Sequence, residues 1–309
     1  MGGVIIIKYD LHVHSSDSDG KYNKIEILEK AEEKKIELIA FCDHNTLGKY
    51  SVEEIKRIYY EKNKKECNTI IIPSIEISAG SNKYKGIHIL GYGIKDFKLI
   101  NRCLEDIDYR NLNNIKRQIE LINKNFNIQI SYEEVKKTVK KEIITEIDIE
   151  TVLMKLGYIQ NKKDMYKYTN RNSLSHVDKY KLEDKETIRV IKEAGGIAVL
   201  AHPIELKIKE NNTNLGDGVQ YEKYIRYLKS VGLDGIETHT LKHNEKQQEK
   251  YYNISKKYGL LATAGSDFHD ETRTPILGVS YNPDFFLKPI MKELIERGRI
   301  KDNERDYRD

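Results

Sequence analysis

The chain has 309 residues, enough for one large α/β domain or for a core domain with an insertion. Charged residues make up 33% and hydrophobic residues 39%, a balance typical of a soluble globular protein. The 53 basic and 49 acidic residues leave a net charge of +4, which by itself gives no indication of nucleic-acid binding. Every apolar run falls well short of the ~18 residues that a membrane span requires, so we expect no membrane partner.

Cysteine usage indicates a reducing compartment. The chain has three cysteines, Cys42, Cys67 and Cys103, and no pair has the spacing of a metal-binding or redox motif. The odd count also argues against a disulfide framework. Because the apolar run at residues 4–7 is too short for a signal peptide, we expect a cytoplasmic protein.

In chain order, the first third of the sequence alternates between strand and helix patterns. Asn23 and Glu26 have the spacing of a capping box and mark the start of the first helix. Alternating strands and helices predict a mainly parallel sheet or barrel. The elements predicted here are strands over residues 4–13, 38–42, 70–77 and 87–92, a helix after residue 23, and a helix over residues 52–61.

Residues 99–185 have a different character and are predicted to form a helical insertion. They are rich in Lys, Asn and Glu and lack strong strand patterns. Two apolar stripes with helical spacing support this interpretation: Leu112, Ile115, Ile119 and Ile122, and then Val152, Leu153 and Leu156.

The alternation of strands and helices returns in the last third. We assign residues 1–98 and 186–300 to the core domain, and we expect the charged tail 301–309 to be frayed. The predicted elements are helices over 188–194, 221–230 and 245–258 and strands over 196–201, 235–237 and 260–265.

Six of the nine histidines fall at or near the ends of predicted strands, several beside a carboxylate. Parallel α/β folds place their functional sites at the carboxyl ends of strands, so these side chains are expected to meet. His12 and His14 lie on one strand face because side chains alternate with period two, and a loop containing Asp19 follows them. The other candidates are His44, Glu76, His88, His202, Asp267 and His269.

Each candidate alone also has a simpler interpretation. A single histidine can belong to the core or cap a strand, and Glu76 can face solvent on an alternating strand. Together, however, so many polar groups at one edge of a fold require a cation to neutralise them. Imidazole and carboxylate ligands without thiolates suit Zn, Mn or Fe.

These residues stand in motifs that resemble a known family. The motifs H-x-H-S-x-x-S-D-G, D-H-N-T, S-I-E-I-S, I-H-I-L-G-Y, A-H-P and G-S-D-F-H occur in that order along most of the chain. The set resembles the polymerase and histidinol phosphatase (PHP) superfamily. It is most similar to the stand-alone phosphoesterase branch, which includes nucleoside 3′,5′-bisphosphate phosphatases and 5′-to-3′ exoribonucleases.

The resemblance implies an α/β fold, namely a distorted TIM-like β/α barrel of about seven strands with a helical insertion. It also implies a site for two or three divalent metal ions. Asp19, His44, Glu76, Asp267 and His269 would take part in catalysis. The implied ligands are His12, His14, Glu76 and Asp267 for one metal, Glu76 with His88 and His202 for a second, and Asp19, His44 and His269 for a third.

The insertion departs from the family pattern. Relatives in this branch usually carry Arg-Pro-His there, whereas this chain reads Glu-Ile-Asp-Ile-Glu over residues 146–150, ahead of Leu-Gly-Tyr. A basic segment has become acidic, which leaves the exact substrate open. Candidate phosphate contacts are Arg110, His243 and Arg273, each of which can also be an ordinary structural or surface residue.

The expected activity is hydrolysis of a phosphate ester by a metal-activated hydroxide. The expected partner is a small phosphorylated substrate, either a nucleotide or a short RNA. A histidinol-phosphate-type phosphatase is an alternative with the same kind of metal site. A non-catalytic metal or nucleic-acid binding module is a second alternative, and a broader metal-dependent amidohydrolase is a third.

Overall fold

The computed structural model describes residues 7–141, 143–215 and 218–297. The predicted tail and the beginning of the first predicted strand lie outside these ranges. The chain forms two compact units. One combines the chain up to Arg102 with the chain from Leu182 onward, and the other is Cys103–Lys181. The predicted insertion 99–185 includes this second unit and extends four residues beyond it at each end.

The first unit is built on a seven-stranded sheet with the order β1-β2-β3-β5-β6-β8-β9. Two further short strands, β4 and β7, pair with each other as an antiparallel ribbon. The strands are β1 Lys8–Val13, β2 Ile36–Phe41, β3 Ile70–Ala79, β4 Tyr84–Lys85, β5 Ile87–Tyr92, β6 Ile197–Leu200, β7 Lys207–Ile208, β8 Gly235–His239 and β9 Leu261–Ala264.

The sheet is mainly parallel, as predicted, but β5 runs against both of its neighbours. The pairs β1–β2, β2–β3, β6–β8 and β8–β9 are parallel, whereas β3–β5 and β5–β6 are antiparallel. A short connection from β3 produces this reversal, because a parallel strand would need a long crossover. The start of β5, not its end, therefore lies at the carboxyl edge of the other strands, and Ser78 near the end of β3 pairs with His88.

The two edge strands of the sheet also approach each other. Val13 at the end of β1 forms an isolated bridge with Phe268, just after β9, and Tyr9 forms another with Val279. The backbone N–H of His14 donates to the carbonyl of Phe268 at 2.8 Å. In the described residues these isolated bridges, and no continuous ladder, connect β1 with the chain that follows β9.

Helices follow most strands. Asn23 caps the first helix with the predicted capping box, and Ser51 caps the second in the same way. No helix within the described ranges is long and apolar enough to cross a membrane. The helices are α1 Lys24–Glu33, α2 Val52–Asn63, α3 Phe97–Phe126, α4 Tyr132–Val139, α5 Glu146–Lys155, α6 Lys162–Tyr168, α7 Asp184–Glu193, α8 Val219–Ser230, α9 Glu245–Lys257, α10 Pro283–Phe286 and α11 Lys288–Glu296.

Both faces of the parallel strands are buried, which explains their continuous apolar sequences. In β2, Leu38 and Ala40 belong to a core cluster that also contains residues of α11. The intervening Ile39 and Phe41 belong to a second cluster with residues of α1 and α2. Period-two alternation thus divides one strand between two hydrophobic layers.

The second unit has its own core. The predicted stripe residues Ile115, Ile119 and Ile122 of α3 pack with Val152 and Leu153 of α5 in one buried cluster. Leu156, the last residue of the second predicted stripe, does not join this core, since it is 54% exposed. It is the C-terminal cap of α5, where the helix ends and the stripe no longer applies.

The carboxylate of Asp10 fastens β1 to the chain that follows β9. One oxygen accepts from the backbone N–H groups of His12 at 3.2 Å and Ser266 at 2.8 Å. The other accepts from the Ser266 hydroxyl at 2.6 Å and the Gly278 N–H at 2.8 Å. Burial raises the pKa of Asp10 to about 6, although these bonds oppose the rise. Burial of this carboxylate is unfavourable by itself, but its hydrogen bonds offset the loss of water and connect β1 to the chain that follows β9.

We expect Asp10→Ala to lower the free energy of unfolding by about 3 kcal/mol, because it leaves buried N–H groups without an acceptor. Urea denaturation followed by far-UV circular dichroism measures this loss. Asp284→Ala is the matched control, since the exposed carboxylate of Asp284 pairs with Lys288, and a change within about 0.5 kcal/mol is expected there. Equal stability of the two variants would contradict the anchoring role.

Candidate metal centre

A single buried carboxylate, that of Glu76 in β3, lies at the centre of a group of imidazoles. Its side chain is 0% exposed. Five histidines approach its two oxygens, and only ionic or metal-bridged contacts account for such a concentration. The distances to the nearest carboxylate oxygen are 2.9 Å from His202 Nε2, 3.0 Å from His44 Nδ1, 3.2 Å from His88 Nδ1, 3.3 Å from His14 Nε2 and 3.5 Å from His12 Nε2.

The strand ends bring these groups together. β1 supplies His12 and, one residue after it ends, His14, while His44 follows β2 and bridges to the backbone of Glu76. Although β5 is reversed, His88 joins the group, because it is near the start of that strand. His202 follows β6, and Asp267 and His269 follow β9.

All nine predicted ligand positions fall in groups whose donor atoms lie within 4.8 Å of one another. The groups overlap, and they differ in part from the three sets that the resemblance implies, since His14 joins the third set and Glu205 forms a further group. The groups are His12, His14 and Asp267; His12, Glu76 and His202; His44, Glu76 and His88; His14, Asp19, His44 and His269; and His88, His202 and Glu205.

The charges in the group depend on one another. Burial by itself raises the pKa of Glu76, but the imidazoles of His12 and His88 hold that pKa well below its usual range. Burial lowers the pKa of His12, yet Glu237, Asp267 and Glu76 raise it well above its ordinary value. The pKa of His14, by contrast, is lowered by burial. The site thus keeps the Glu76 carboxylate ionised and faces it with closely spaced ring nitrogens.

These residues fit divalent metal ions. His12 Nε2 and His14 Nε2 lie only 3.1 Å apart, so two nitrogens that are ordinarily ligands point at one position. Several buried donor and acceptor atoms have no hydrogen-bond partner, among them His14 Nδ1, His44 Nδ1, His88 Nδ1 and one oxygen of Glu76. A metal ion satisfies such atoms, and a set of nitrogen and oxygen donors suits Zn, Mn or Fe.

The buried carboxylate of Glu237 in β8 orients two of the histidines, His12 and His202. Its Oε1 lies 3.0 Å from His12 Nδ1, and its Oε2 accepts from the backbone N–H of His202 at 2.8 Å. A proton on Nδ1 of His12 leaves Nε2 free to face the cluster. The sequence analysis missed this role, although Glu237 stands at the end of the predicted strand 235–237, where functional side chains are expected.

The loop that carries Asp19 is held by Asp43. The carboxylate of Asp43 accepts from the backbone N–H of Ser15 at 2.6 Å and from the hydroxyls of Ser15 at 2.8 Å and Ser18 at 2.9 Å. Lys24 lies 3.3 Å from the same carboxylate. The Asp-Ser-rich loop is therefore fixed, and Asp19 Oδ1 reaches within 3.2 Å of His269 Nε2.

Asp267 occupies a strained position. Its φ is +56°, in the left-handed region that residues other than glycine seldom adopt. The carbonyl of Asp267 accepts from the Thr274 hydroxyl at 2.8 Å and lies 2.9 Å from His269 Nδ1, and both contacts stabilise this conformation. The turn directs Oδ1 to His14 Nε2 at 3.1 Å, and Oδ2 lies 2.5 Å from Lys242 Nζ.

The site has a buried floor and a partly exposed rim. His12, Glu76 and Asp267 are fully or almost fully buried, whereas the side chain of Asp19 is 44% exposed. Two rim residues, Glu205 and Lys242, were not among the predicted site residues. The signal that would have found Glu205 is its position three residues after His202, and Lys242 stands next to the candidate His243.

The three candidate phosphate contacts differ in their surroundings. Arg110 is in the second unit, where it pairs with Asp106 on α3 and its guanidinium lies over the ring of Tyr180. Arg273 is mostly exposed and binds the carboxylate of Asp19 at 3.0 Å. For both residues a phosphate contact stays a prediction.

His243 is only 5% exposed, and its Nδ1 lies 2.9 Å from the carbonyl of Thr238. A carbonyl only accepts, so Nδ1 carries the proton, and the partnerless Nε2 is an acceptor when the ring is neutral. Burial lowers the pKa of His243 and favours this neutral form. A contact to phosphate would need a protonated ring, and it too stays a prediction.

Curated relatives align with nearly the whole chain. A 5′-3′ exoribonuclease from Haemophilus influenzae is 27% identical over 265 residues, which cover 85% of this chain and 90% of the relative. A phosphoribosyl 1,2-cyclic phosphate 1,2-diphosphodiesterase from Eggerthella lenta is 25% identical over 279 residues, which cover 87% of this chain and 97% of the relative.

A solved structure shares the fold. An amidohydrolase from Chromobacterium violaceum, determined with bound sulfate, superposes with a TM-score of 0.64 at 22% sequence identity and covers 94% of this chain and 96% of its own. The PHP domain model matches residues 10–202, which are more than half of the chain and contain seven of the nine predicted ligand positions. The chain belongs to the PHP domain family.

Proposed function

We propose that this protein is a metal-dependent phosphoesterase that hydrolyses phosphate esters of small nucleotides or of short RNA. The observation that carries the proposal is the buried carboxylate of Glu76 with five imidazoles around it, together with the carboxylates of Asp19 and Asp267. A donor set of this kind holds two or three divalent ions, and we propose Mn, Zn or Fe. Family membership supports the reaction type.

The substrate class rests on the relatives. One is named as an exoribonuclease and another as a cyclic phosphate diphosphodiesterase, so both names specify phosphate esters. The net charge of +4 gives no indication of binding to a long polyanionic RNA. We therefore propose a small nucleotide first and a short RNA second. We also propose a cytoplasmic location, since the cysteine pattern suits a reducing compartment.

Bound metal ions supply a hydroxide at neutral pH and positive charge at the phosphoryl oxygens. In the proposal, Glu76 holds the imidazoles on both of its sides in fixed positions, and Glu237 sets the proton of His12 on Nδ1. Asp267 and His269, which follow β9, supply ligands on that side of the site. The neutral Nε2 of His243 is suited to accept a hydrogen bond from a water or a substrate hydroxyl.

The first test measures phosphate release from adenosine 3′,5′-bisphosphate by the Mn²⁺-loaded protein, with histidinol phosphate in parallel. We expect release from the nucleotide. Asp267→Asn should lower it by about 100-fold or more, since it removes a charged ligand without a change of shape. Asp284→Asn is the control with an exposed carboxylate and should retain full activity.

The pattern of results discriminates among the candidate functions. Release from histidinol phosphate alone would favour the histidinol-phosphate-type phosphatase. Metal binding without release from either compound or from a short 5′-phosphorylated RNA would favour the binding module and contradict the proposed phosphoesterase.

Glu237→Gln tests the orientation of the ligands. The two oxygens of Glu237 face His12 Nδ1 and the backbone N–H of His202. The substitution replaces one of these oxygens with an NH₂ group, which cannot accept either proton, so we expect metal affinity to fall about 10- to 100-fold. Chelator competition measures the affinity, and thermal unfolding of the metal-free protein checks the fold. Glu222→Gln, on an exposed carboxylate that pairs with Lys257, should leave the affinity unchanged. If Glu237→Gln binds metal as tightly as the parent chain, Glu237 does not position His12.

A further inference from the structure

The turn that joins β8 to α9 brings an ammonium group to the rim of the metal centre. Lys242 Nζ lies 2.6 Å from Glu205 Oε1, to which it donates a hydrogen bond, and 2.5 Å from Asp267 Oδ2. The other oxygen of Glu205 lies 3.3 Å from His202 Nδ1. Lys242 therefore sits between a rim carboxylate and a carboxylate of the proposed ligand set.

The two oxygens of the Asp267 carboxylate contact different groups. Oδ1 faces His14 Nε2 and belongs to the group of donor atoms that can hold a metal. Oδ2 faces Lys242 on the outer side. Because the ammonium contacts a different oxygen from the imidazoles, it does not fill the position at which the donor atoms of the cluster converge. A metal ion and this lysine can be present together.

Lys242 also has donor capacity left over. An ammonium has three N–H bonds, and the one to Glu205 is directed as a hydrogen bond. A second can point to Asp267 Oδ2, at 2.5 Å, which leaves the third for another acceptor. Since the Lys242 side chain is 39% exposed, a ligand in the rim can reach the ammonium.

The other basic side chains near the centre are less suited to a phosphate group. Arg273 is engaged by the carboxylates of Asp19 and Asp270 on the exposed side of the rim. His243 presents an acceptor nitrogen, not a donor, when it is neutral. Lys242, in contrast, is a cation in contact with a carboxylate that also faces the metal-binding imidazoles.

We propose that Lys242 is a phosphate-binding residue, whose ammonium donates to a non-bridging oxygen of the phosphate group held at the metal centre. This inference rests on the proposed phosphoesterase function and adds a specificity-determining contact to it. Glu205 holds the ammonium in position by its hydrogen bond. The recognised chemistry is a phosphate group with at least one free oxygen, in a monoester, a diester or inorganic phosphate.

The test compares Lys242→Met and Lys242→Arg with the parent chain, each as the full-length metal-loaded protein. Isothermal titration with inorganic phosphate measures binding without any need for turnover. We expect Lys242→Met to weaken phosphate binding about 10- to 100-fold, the range for one hydrogen bond to a charged group. Lys242→Arg should recover most of the affinity. Lys246→Met, which removes an exposed lysine in the first turn of α9, controls for net charge and should bind as the parent does.

Metal content and kinetics complete the test. Lys242→Met should keep the parent's metal content, and where turnover is measurable it should raise KM for the nucleotide more than it lowers kcat. Unchanged phosphate binding in Lys242→Met overturns the inference, and so does a loss of bound metal, which would make the lysine a support for Asp267. Phosphate binding that depends on Lys242 in a protein without turnover would uphold this inference while the proposed phosphoesterase function fails.

Discussion

One buried negative charge organises this molecule. Glu76 is withdrawn from water, and burial of a lone carboxylate is strongly unfavourable. Five imidazoles make its burial possible, but those of His12, His14 and His202 are themselves buried, and several ring nitrogens of the group have no hydrogen-bond partner. The buried carboxylate and the imidazoles around it therefore stabilise each other, and bound cations would neutralise the remaining negative charge of the site. These contacts form only when the ends of the strands are correctly placed relative to one another. The fold and the site therefore depend on the same arrangement of strands.

Much of this arrangement could be predicted from the sequence, because its signals are local. The capping box at Asn23, the apolar strand β2 and the period-two spacing of His12 and His14 each depend on neighbours within a few residues. The ordered motifs then identified which polar residues belong together. The direction of β5 was missed, since the alternation of apolar residues is the same in parallel and antiparallel strands.

The supporting contacts could not be predicted for a different reason. Glu237 reaches His12 across 225 residues, and Lys242 reaches Asp267 from a turn that has no apolar pattern of its own. Such contacts arise from three-dimensional proximity, and a charged residue in a loop is ordinarily solvated. Leu156 illustrates a different limit of the sequence pattern. It continues the helical spacing of apolar residues, but α5 has already ended, and its side chain is exposed.

The reversal of β5 has a consequence for the order in which the molecule can assemble. Glu76 and His88 lie on the two arms of one hairpin, so they approach each other at a small cost in loop-closure entropy. The contact between Asp10 and Ser266, in contrast, spans 256 residues and forms only when almost the entire chain has been gathered. The metal centre combines a local contact of this kind with contacts between the two ends of the first unit, such as that of His14 with Asp267. An ion bound there would therefore link the beginning of the fold to its end.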